Sequence, residues 1–274
     1  MIDFLREMLS YPFMQNALLV GSIVSVVSAL LGIHLVLKRY AMIGDGLSHV
    51  GFGALALGAV LNLSPLAVAI PVVTAASFFL LRRGRKASHG GDSSVALLST
   101  GALALGVMCL SLFGGSNVDL NSYLFGSLFA MTDTDRILGL VISIAALMLY
   151  LLFYHKIFAV TFDESFAAAT GVKVDFYTAL IAVLTSLTVV VGMRMMGTLL
   201  ISALIIFPPL SAMKICRRFR SVVVLSVTIS FLCFLCGIVL TYCYPLQPGA
   251  CIVSVNAAVY LLLSLIGRIQ KRGS

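Results

Sequence analysis

Asp45 and His49 are the two side chains of this sequence best placed to hold a metal ion. They lie in the run Ile43-Gly44-Asp45-Gly46-Leu47-Ser48-His49. Four residues apart on a helix, they share one face. Asp45 is the only formal charge between residues 40 and 81. A carboxylate at the centre of a bilayer costs roughly 2.5–3.5 kcal/mol on insertion scales, so it persists where it lines water, pairs with a cation or binds an ion. Carboxylate oxygen with imidazole nitrogen suits a borderline transition ion such as Zn²⁺ or Mn²⁺. The spacing leaves a second reading open, in which Asp45 caps the start of a helix and His49 is its hydrogen-bond partner. Gly44, Gly46, Gly51, Gly53 and Gly58 flank the pair. Their density fits either close helix approach or local unwinding at a gate.

Two further features carry chemistry. The run Phe162-Asp163-Glu164-Ser165-Phe166-Ala167-Ala168-Ala169-Thr170-Gly171 reads as a short amphipathic helix with acids at its start and glycine at its end. A short helix between two apolar runs, carrying Phe162 and Phe166, suits either docking of a soluble partner or plain connection. The second feature is Pro208-Pro209 inside an apolar run, which is expected to break or kink a helix there and to free carbonyls near Ile205 and Phe207.

The elements that must position these residues are set by composition. The 274-residue chain is 61% hydrophobic and 10% charged, with mean hydropathy +1.11. A water-soluble domain carries about 25% charged residues. Residues 8–37, 93–118, 137–155, 176–193, 195–213 and 221–267 contain no Asp, Glu, Lys or Arg. A span needs about 20 apolar residues, and helices satisfy their own backbone in lipid. The 40–81 stretch divides near Asn62, Ser64 and Pro65, and 221–267 divides at Tyr244-Pro245-Leu246-Gln247-Pro248-Gly249. The expectation is an all-α polytopic transmembrane bundle forming one domain over 1–274. Its candidate helices are 14–37, 42–61, 65–82, 94–113, 137–156, 176–193, 195–213, 221–242 and 250–267. The count falls to eight if one of the 176–213 pair, joined tightly at Arg194, is a half-span. The stretch Val118–Thr132 reads as an interfacial or re-entrant segment. The first run is long enough to remain as a span, and no cleavable leader is expected.

Sidedness follows from lysine and arginine. With the N-terminus outside and the C-terminus cytoplasmic, fifteen of the eighteen basic residues fall inside. Only Arg6, Arg136 and Arg194 fall outside, beside Asp119, Asp133 and Asp135. The net charge of +8 is therefore read as membrane orientation and not as nucleic-acid binding. The six cysteines, including Cys233-x-x-Cys236, lack a second pair or a neighbouring histidine and read as apolar fill. His34, His89 and His155 read as packing or interfacial residues. No G-x-x-x-x-G-K-[ST], H-E-x-x-H or G-x-S-x-G occurs, so the chain offers no nucleotide-hydrolysing loop, zinc-protease helix or serine nucleophile of those types.

Several motifs, in order, carry a resemblance. They are Leu37-Lys38-Arg39-Tyr40-Ala41-Met42-Ile43-Gly44-Asp45-Gly46-Leu47-Ser48-His49, Ala104-Leu105-Gly106-Val107 and Ser122-Tyr123-Leu124-Phe125-Gly126. They continue with Phe162-Asp163-x-x-x-Ala167 to Gly171, Met196-Gly197-Thr198-Leu199-Leu200 to Pro208, and Pro248-Gly249-Ala250. The chain resembles the permease subunits of the metal-importing ABC transporters, which serve zinc, manganese and iron. The resemblance implies a homodimer around one path in the cytoplasmic (inner) membrane and a cytosolic ATPase dimer docked on the coupling segment 160–175. It implies an extracytoplasmic metal-binding protein that delivers the ion, and no permanent cofactor. The chain itself would be no enzyme, since ATP hydrolysis sits on the partner. Asp45 and His49 would be the pathway ligands. Phe162, Asp163, Glu164, Phe166, Ala167 and Gly171 would face the ATPase, and Gly44, Gly46, Pro208 and Pro209 would belong to the gate. The chain departs from the family in Val50-Gly51-Phe52-Gly53, which lacks the usual proline after the histidine, and in doubling the later proline. The Ser48–Gly53 and Ile206–Pro208 versions look like the zinc branch. From the residues alone the alternative is an ion-coupled secondary transporter. That mechanism needs buried relays and often inverted repeats, whereas Asp45 is the one clear intramembrane acid and no such repeat is visible. The orientation is tested by reporter fusions: a fusion after Ser274 is expected to report the cytoplasm and one before Met1 the outside, and the reverse pattern would overturn it.

Overall fold

A computed structural model describes residues 2–86, 91–113, 126, 128–129, 131–244 and 246–272. These residues form twelve helices: α1 (Ile2–Ser10), α2 (Pro12–Leu37), α3 (Ile43–Val60), α4 (Pro65–Lys86), α5 (Gly91–Phe113), α6 (Asp133–Leu152), α7 (Tyr154–Phe162), α8 (Glu164–Ala169), α9 (Val174–Met196), α10 (Thr198–Ile215), α11 (Phe219–Cys243) and α12 (Pro248–Arg272). Among the described residues nine helices are long and apolar enough to cross a membrane, namely α2–α6 and α9–α12. The nine expected spans are all present. His89, most of the Val118–Thr132 segment and residues Ser122–Phe125 lie outside the described residues.

Three local expectations need correction. The fifth span starts at Asp133 and not at residue 137, because Thr132 caps it: its hydroxyl accepts from the Asp135 N–H, and the Asp135 side chain returns to the Thr132 N–H. That span ends at Leu152, and residues counted as its last turn belong to a separate helix, α7. The segment before the first span is helical (α1), although its charges hid it. Finally, Pro208 and Pro209 do not break α10, which runs through both to Ile215.

Burial sorts the helices into an inner and an outer set. α2, α3, α9 and α10 are buried over most of their length, whereas α5, α6 and α12 are mostly exposed. The exposed side chains of the outer set are apolar, among them Leu97, Leu112, Met148, Leu152, Leu261 and Leu265. In water such a surface would drive association; in a bilayer it is the lipid-facing surface.

α2 runs through the centre. Beside its lower end, His34 is buried and hydrogen-bonded on both ring nitrogens, to Thr161 on α7 and Tyr150 on α6, each at 2.7 Å. The Thr161 hydroxyl donates to the Ile157 carbonyl, so it accepts from His34 Nδ1–H and Nε2 accepts from the Tyr150 hydroxyl. At the opposite end Arg136 on α6 donates to the Asn16 side chain on α2 at 3.1 Å.

α10 passes its prolines without a break, and the carbonyl they free packs closely against a neighbour. Pro209 has no N–H, so the Ile205 carbonyl loses its usual intrahelical partner. That carbonyl oxygen lies where a Cβ on Gly32 of α2 would stand, 2.0 Å from the ideal position. Only glycine lets the two backbones meet this closely. Gly32→Ala is expected to push α2 and α10 apart and to destabilise the protein by about 3 kcal/mol, the upper range for overpacking. Denaturant unfolding in detergent checks it. Gly101→Ala, where an added Cβ meets nothing within 4 Å, is the control and should leave stability unchanged or raised. Equal effects of the two substitutions would contradict this packing.

Candidate metal site and coupling segment

α3 begins after a tight turn in which Arg39 takes a left-handed conformation (φ 62°). The helix cap is Met42, and no side chain caps the helix. Asp45 is therefore not the cap, and that alternative does not describe the structure. Asp45 instead lies in the first turn, where the helix dipole favours a carboxylate, and His49 lies one turn on. The Asp45 Oδ2 to His49 Nε2 distance is 3.6 Å, wider than a hydrogen bond. Two metal bonds of about 2.1 Å at a tetrahedral angle set ligand atoms about 3.4 Å apart. The pair is thus spaced to share one ion with little adjustment.

The two side chains differ in exposure, 40% for Asp45 and 21% for His49. The carboxylate stays open to a path, while the imidazole is held in packing. His49 Nδ1 is buried without a hydrogen-bond partner. Ser202 of α10 stands at the Asp45 carboxylate, and its hydroxyl donates to the Thr198 carbonyl. Gly44 meets Ile205, which is near the midpoint of α10. Asp45 is therefore level with the stretch Ser202–Ile205, the fifth to eighth residues of that neighbouring span. Among the described residues no group of three or more His, Cys, Asp and Glu side chains could hold a metal ion.

The glycines around the pair serve close packing. α3 is continuous from Ile43 to Val60, so none of them unwinds it. A Cβ on Gly46 would stand 2.5 Å from Val95, one on Gly53 would stand 2.5 Å from the Ala102 carbonyl, and one on Gly51 would stand 2.8 Å from Met193. α5, α9 and α10 thus clamp three sides of α3. Pro208 and Pro209 are buried in α10 beyond Ile205.

The 162–171 segment forms a short helix as its residues suggest, with one difference. Asp163 is the cap of α8, accepting from the Phe166 N–H at 2.9 Å. Ala167 is fully buried. Gly171 closes the segment at φ +81°, with its N–H on the Ala168 carbonyl and that of Val172 on the Ala167 carbonyl. An added Cβ at Gly171 would meet nothing, so its glycine is required by conformation alone. Phe162 belongs to α7 and not to the short helix. It and Phe166 are exposed, at 61% and 65%, and Phe162 also stacks on Phe158 and Phe219.

Sequence reasoning missed what ties this segment to the metal-site helices. Glu164 pairs with Lys38 at 2.5 Å. Lys38 caps the end of α2, five residues before α3. The partners are 126 positions apart, and no local pattern signals such a pair. Ser202 was missed for the same reason. At the other end of the bundle Arg194 of α9 meets Asp135 of α6 at 2.8 Å. Gly197 (φ +86°) forms the tight joint expected between α9 and α10. Cys233 and Cys236 on α11 are both free thiols, one buried and one exposed.

Residues 10–267 match the ABC 3 transport family. The chain is 27% identical over 269 residues to the manganese import system permease protein ScaB of Streptococcus gordonii, covering 98% of this chain and 96% of that one. It is 28% identical over 249 residues to the high-affinity zinc uptake system membrane protein ZnuB of Haemophilus influenzae, covering 90% and 94%. Among solved structures, PsaBC from Streptococcus pneumoniae in complex with Fab matches with a TM-score of 0.83 at 29% identity, covering 96% of this chain and 95% of that chain. With a family match over nearly its whole length and nine apolar spans in one helical bundle, this multi-pass membrane protein belongs to the ABC 3 transport family.

Proposed function

We propose that this chain is the membrane-spanning permease subunit of an ATP-driven importer of divalent transition metal ions, with Asp45 and His49 as ligands to the ion in transit. The Asp45–His49 pair carries the reading: two metal-compatible donors 3.6 Å apart, with Asp45 beside Ser202 of a neighbouring span. One protomer supplies too few donors for a closed site. A second copy facing it brings another Asp and His, which completes the four donors that zinc takes. The ion is bound between helices that can separate, so it can leave. Zn²⁺ is the ion we put first, on the nitrogen–oxygen donor set and the Ser48–Gly53 pattern. Mn²⁺ and Fe²⁺ are the competitors an assay must separate.

In this reading the protein lies in the cytoplasmic membrane with its basic end inside. Residues 160–175 dock a cytosolic ATPase dimer through exposed Phe162 and Phe166, and an extracytoplasmic protein delivers the metal. Movement of α8 reaches the metal site by a short route. Glu164 pulls on Lys38 at the end of α2, and the 38–42 turn leads into α3 and Asp45. Gly44, Gly46, Pro208 and Pro209 lie where α3 meets α5 and α10, so a shift of α3 is felt there first.

Two experiments test the reading. In proteoliposomes holding the permease with its ATPase, Asp45→Ala and His49→Ala are each expected to reduce metal uptake to background while the dimer assembles normally. Intact uptake in both variants would remove the ligand role. For coupling, Lys38→Glu and Glu164→Lys singly should leave ATP hydrolysis running with little uptake, and the double swap should recover much of the coupling. A double swap no better than either single would mean that the ion pair transmits nothing.

A further inference from the structure

A cavity of about 350 Å³ opens at the basic end of the bundle, between α7 and the start of α11. Its lining includes His155, Arg218, Arg220 and Ser221, with Tyr154 and Phe219 as aromatic walls. Among the described residues no acidic side chain lines it. Among the described residues neither arginine has an ion-pair partner. Two unpaired guanidiniums beside an imidazole and a hydroxyl make a site for a phosphate group, since the planar donor fork of arginine matches phosphate oxygens.

The position of the cavity selects the carrier of that phosphate. Tyr154 and His155 come just after α6, which ends at Leu152, and Arg218 immediately precedes the apolar span α11. The cavity thus lies at the level where spans end and headgroups begin. On its membrane side the surface is apolar and open. Leu151 and Leu152 on α6, four and three residues before His155, are 56% and 73% exposed, and Val224 on α11, four residues after Arg220, is 66% exposed. Ile23 and Val26 of α2 and Val223 and Val227 of α11 pack, partly buried, against the core cluster that contains Ala146 and Tyr150 of α6, so the surface between α6 and α11 is apolar. Basic pockets at helix ends, opening onto apolar grooves, are where anionic phospholipids seat head and tail together. A docked acidic protein segment would need the cavity but would have no use for the exposed apolar column above it.

We infer that His155, Arg218 and Arg220 form a binding site for the phosphate of an anionic phospholipid, whose acyl chains lie along the α6–α11 groove. The site has a consequence for the helix it grips. Tyr154 and Phe219 stack on each other, Phe219 also contacts His34 and Phe162, and α7 leads directly into α8. A bound headgroup therefore braces the helix that carries the coupling segment.

Native mass spectrometry of the full-length purified protein, titrated with phosphatidylglycerol and separately with phosphatidylcholine, tests the inference. This readout needs no metal and no ATPase, so it stands or falls apart from the transport reading. The wild type should retain phosphatidylglycerol in preference to phosphatidylcholine. Arg218→Gln/Arg220→Gln should weaken phosphatidylglycerol retention by about thirtyfold, from roughly fivefold losses at each headgroup-level charge. Arg218→Lys/Arg220→Lys should recover most of it. Thermal unfolding in detergent without phosphatidylglycerol should be alike for all three proteins, which separates lost binding from misfolding. Equal retention of phosphatidylglycerol by the glutamine variant and the wild type would overturn the site. So would displacement of the lipid by inorganic phosphate alone.

Discussion

In hydrocarbon, apolar side chains gain nothing by leaving lipid for one another, so helices are held by contact distance. The central feature of this structure is how closely α3 is approached. Gly46 and Gly53 admit α5, Gly51 admits Met193 of α9, and Gly44 admits Ile205 of α10. A single methyl group would collide with the Ala102 backbone at Gly53 and with Val95 at Gly46, while Met193 and Ile205 would have to turn aside at Gly51 and Gly44. Together they fix the rotation of α3 about its axis, and that rotation decides where Asp45 and His49 point. The same rule applies one helix away, where Gly32 of α2 receives the Ile205 carbonyl freed by Pro209. The proline pair and the glycine form one device, since the unpartnered carbonyl lies against the one residue small enough to meet it.

Hydroxyls join helices inside the bundle, Ser230 to the Ser25 carbonyl, Ser77 to the Ala182 carbonyl and Thr74 with Ser186, while the ion pairs between helices sit at the ends. Arg194–Asp135 and Arg136–Asn16 tie α6 to α9 and α2 at one end. Lys38–Glu164 and the His34–Tyr150–Thr161 set tie α2 to α6, α7 and α8 at the other. α2 is the common member of nearly all of them. A bundle arranged this way can pass a displacement of α8 along α2 into the turn before α3, without a long chain of intermediates. Salt bridges on open surfaces are worth little, but Lys38 is 13% exposed, so its pairing with Glu164 is less screened than a surface pair.

Much of the fold was legible because lipid imposes a simple rule: charge-free runs of about twenty residues become helices. All nine spans follow from it. Boundaries were less legible where capping competed with hydropathy. Thr132 and Asp135 extend α6 into a charged run that a charge count excludes, and the polar N-terminal residues conceal α1. Asp45 and His49 stood out because a lone acid in forty apolar residues is costly, and their spacing on one helix is a local fact. The coupling helix stood out for the same kind of reason, with Asp163 and Gly171 at its ends. Ser202, Lys38 with Glu164, and the role of Gly32 could not be read, since each depends on helices meeting across more than a hundred positions of sequence. The meaning of Pro208-Pro209 was read only halfway. The freed carbonyl was expected, but its partner lies on another helix.

The central claim is that the Asp45–His49 pair binds the transported metal ion. X-ray absorption at the zinc edge, on purified permease loaded with Zn²⁺, tests it most directly. The account predicts a light-atom shell at about 2.0–2.1 Å with the multiple scattering of imidazole and no sulfur. A shell containing sulfur, or one of oxygen alone with no imidazole signature, would contradict it.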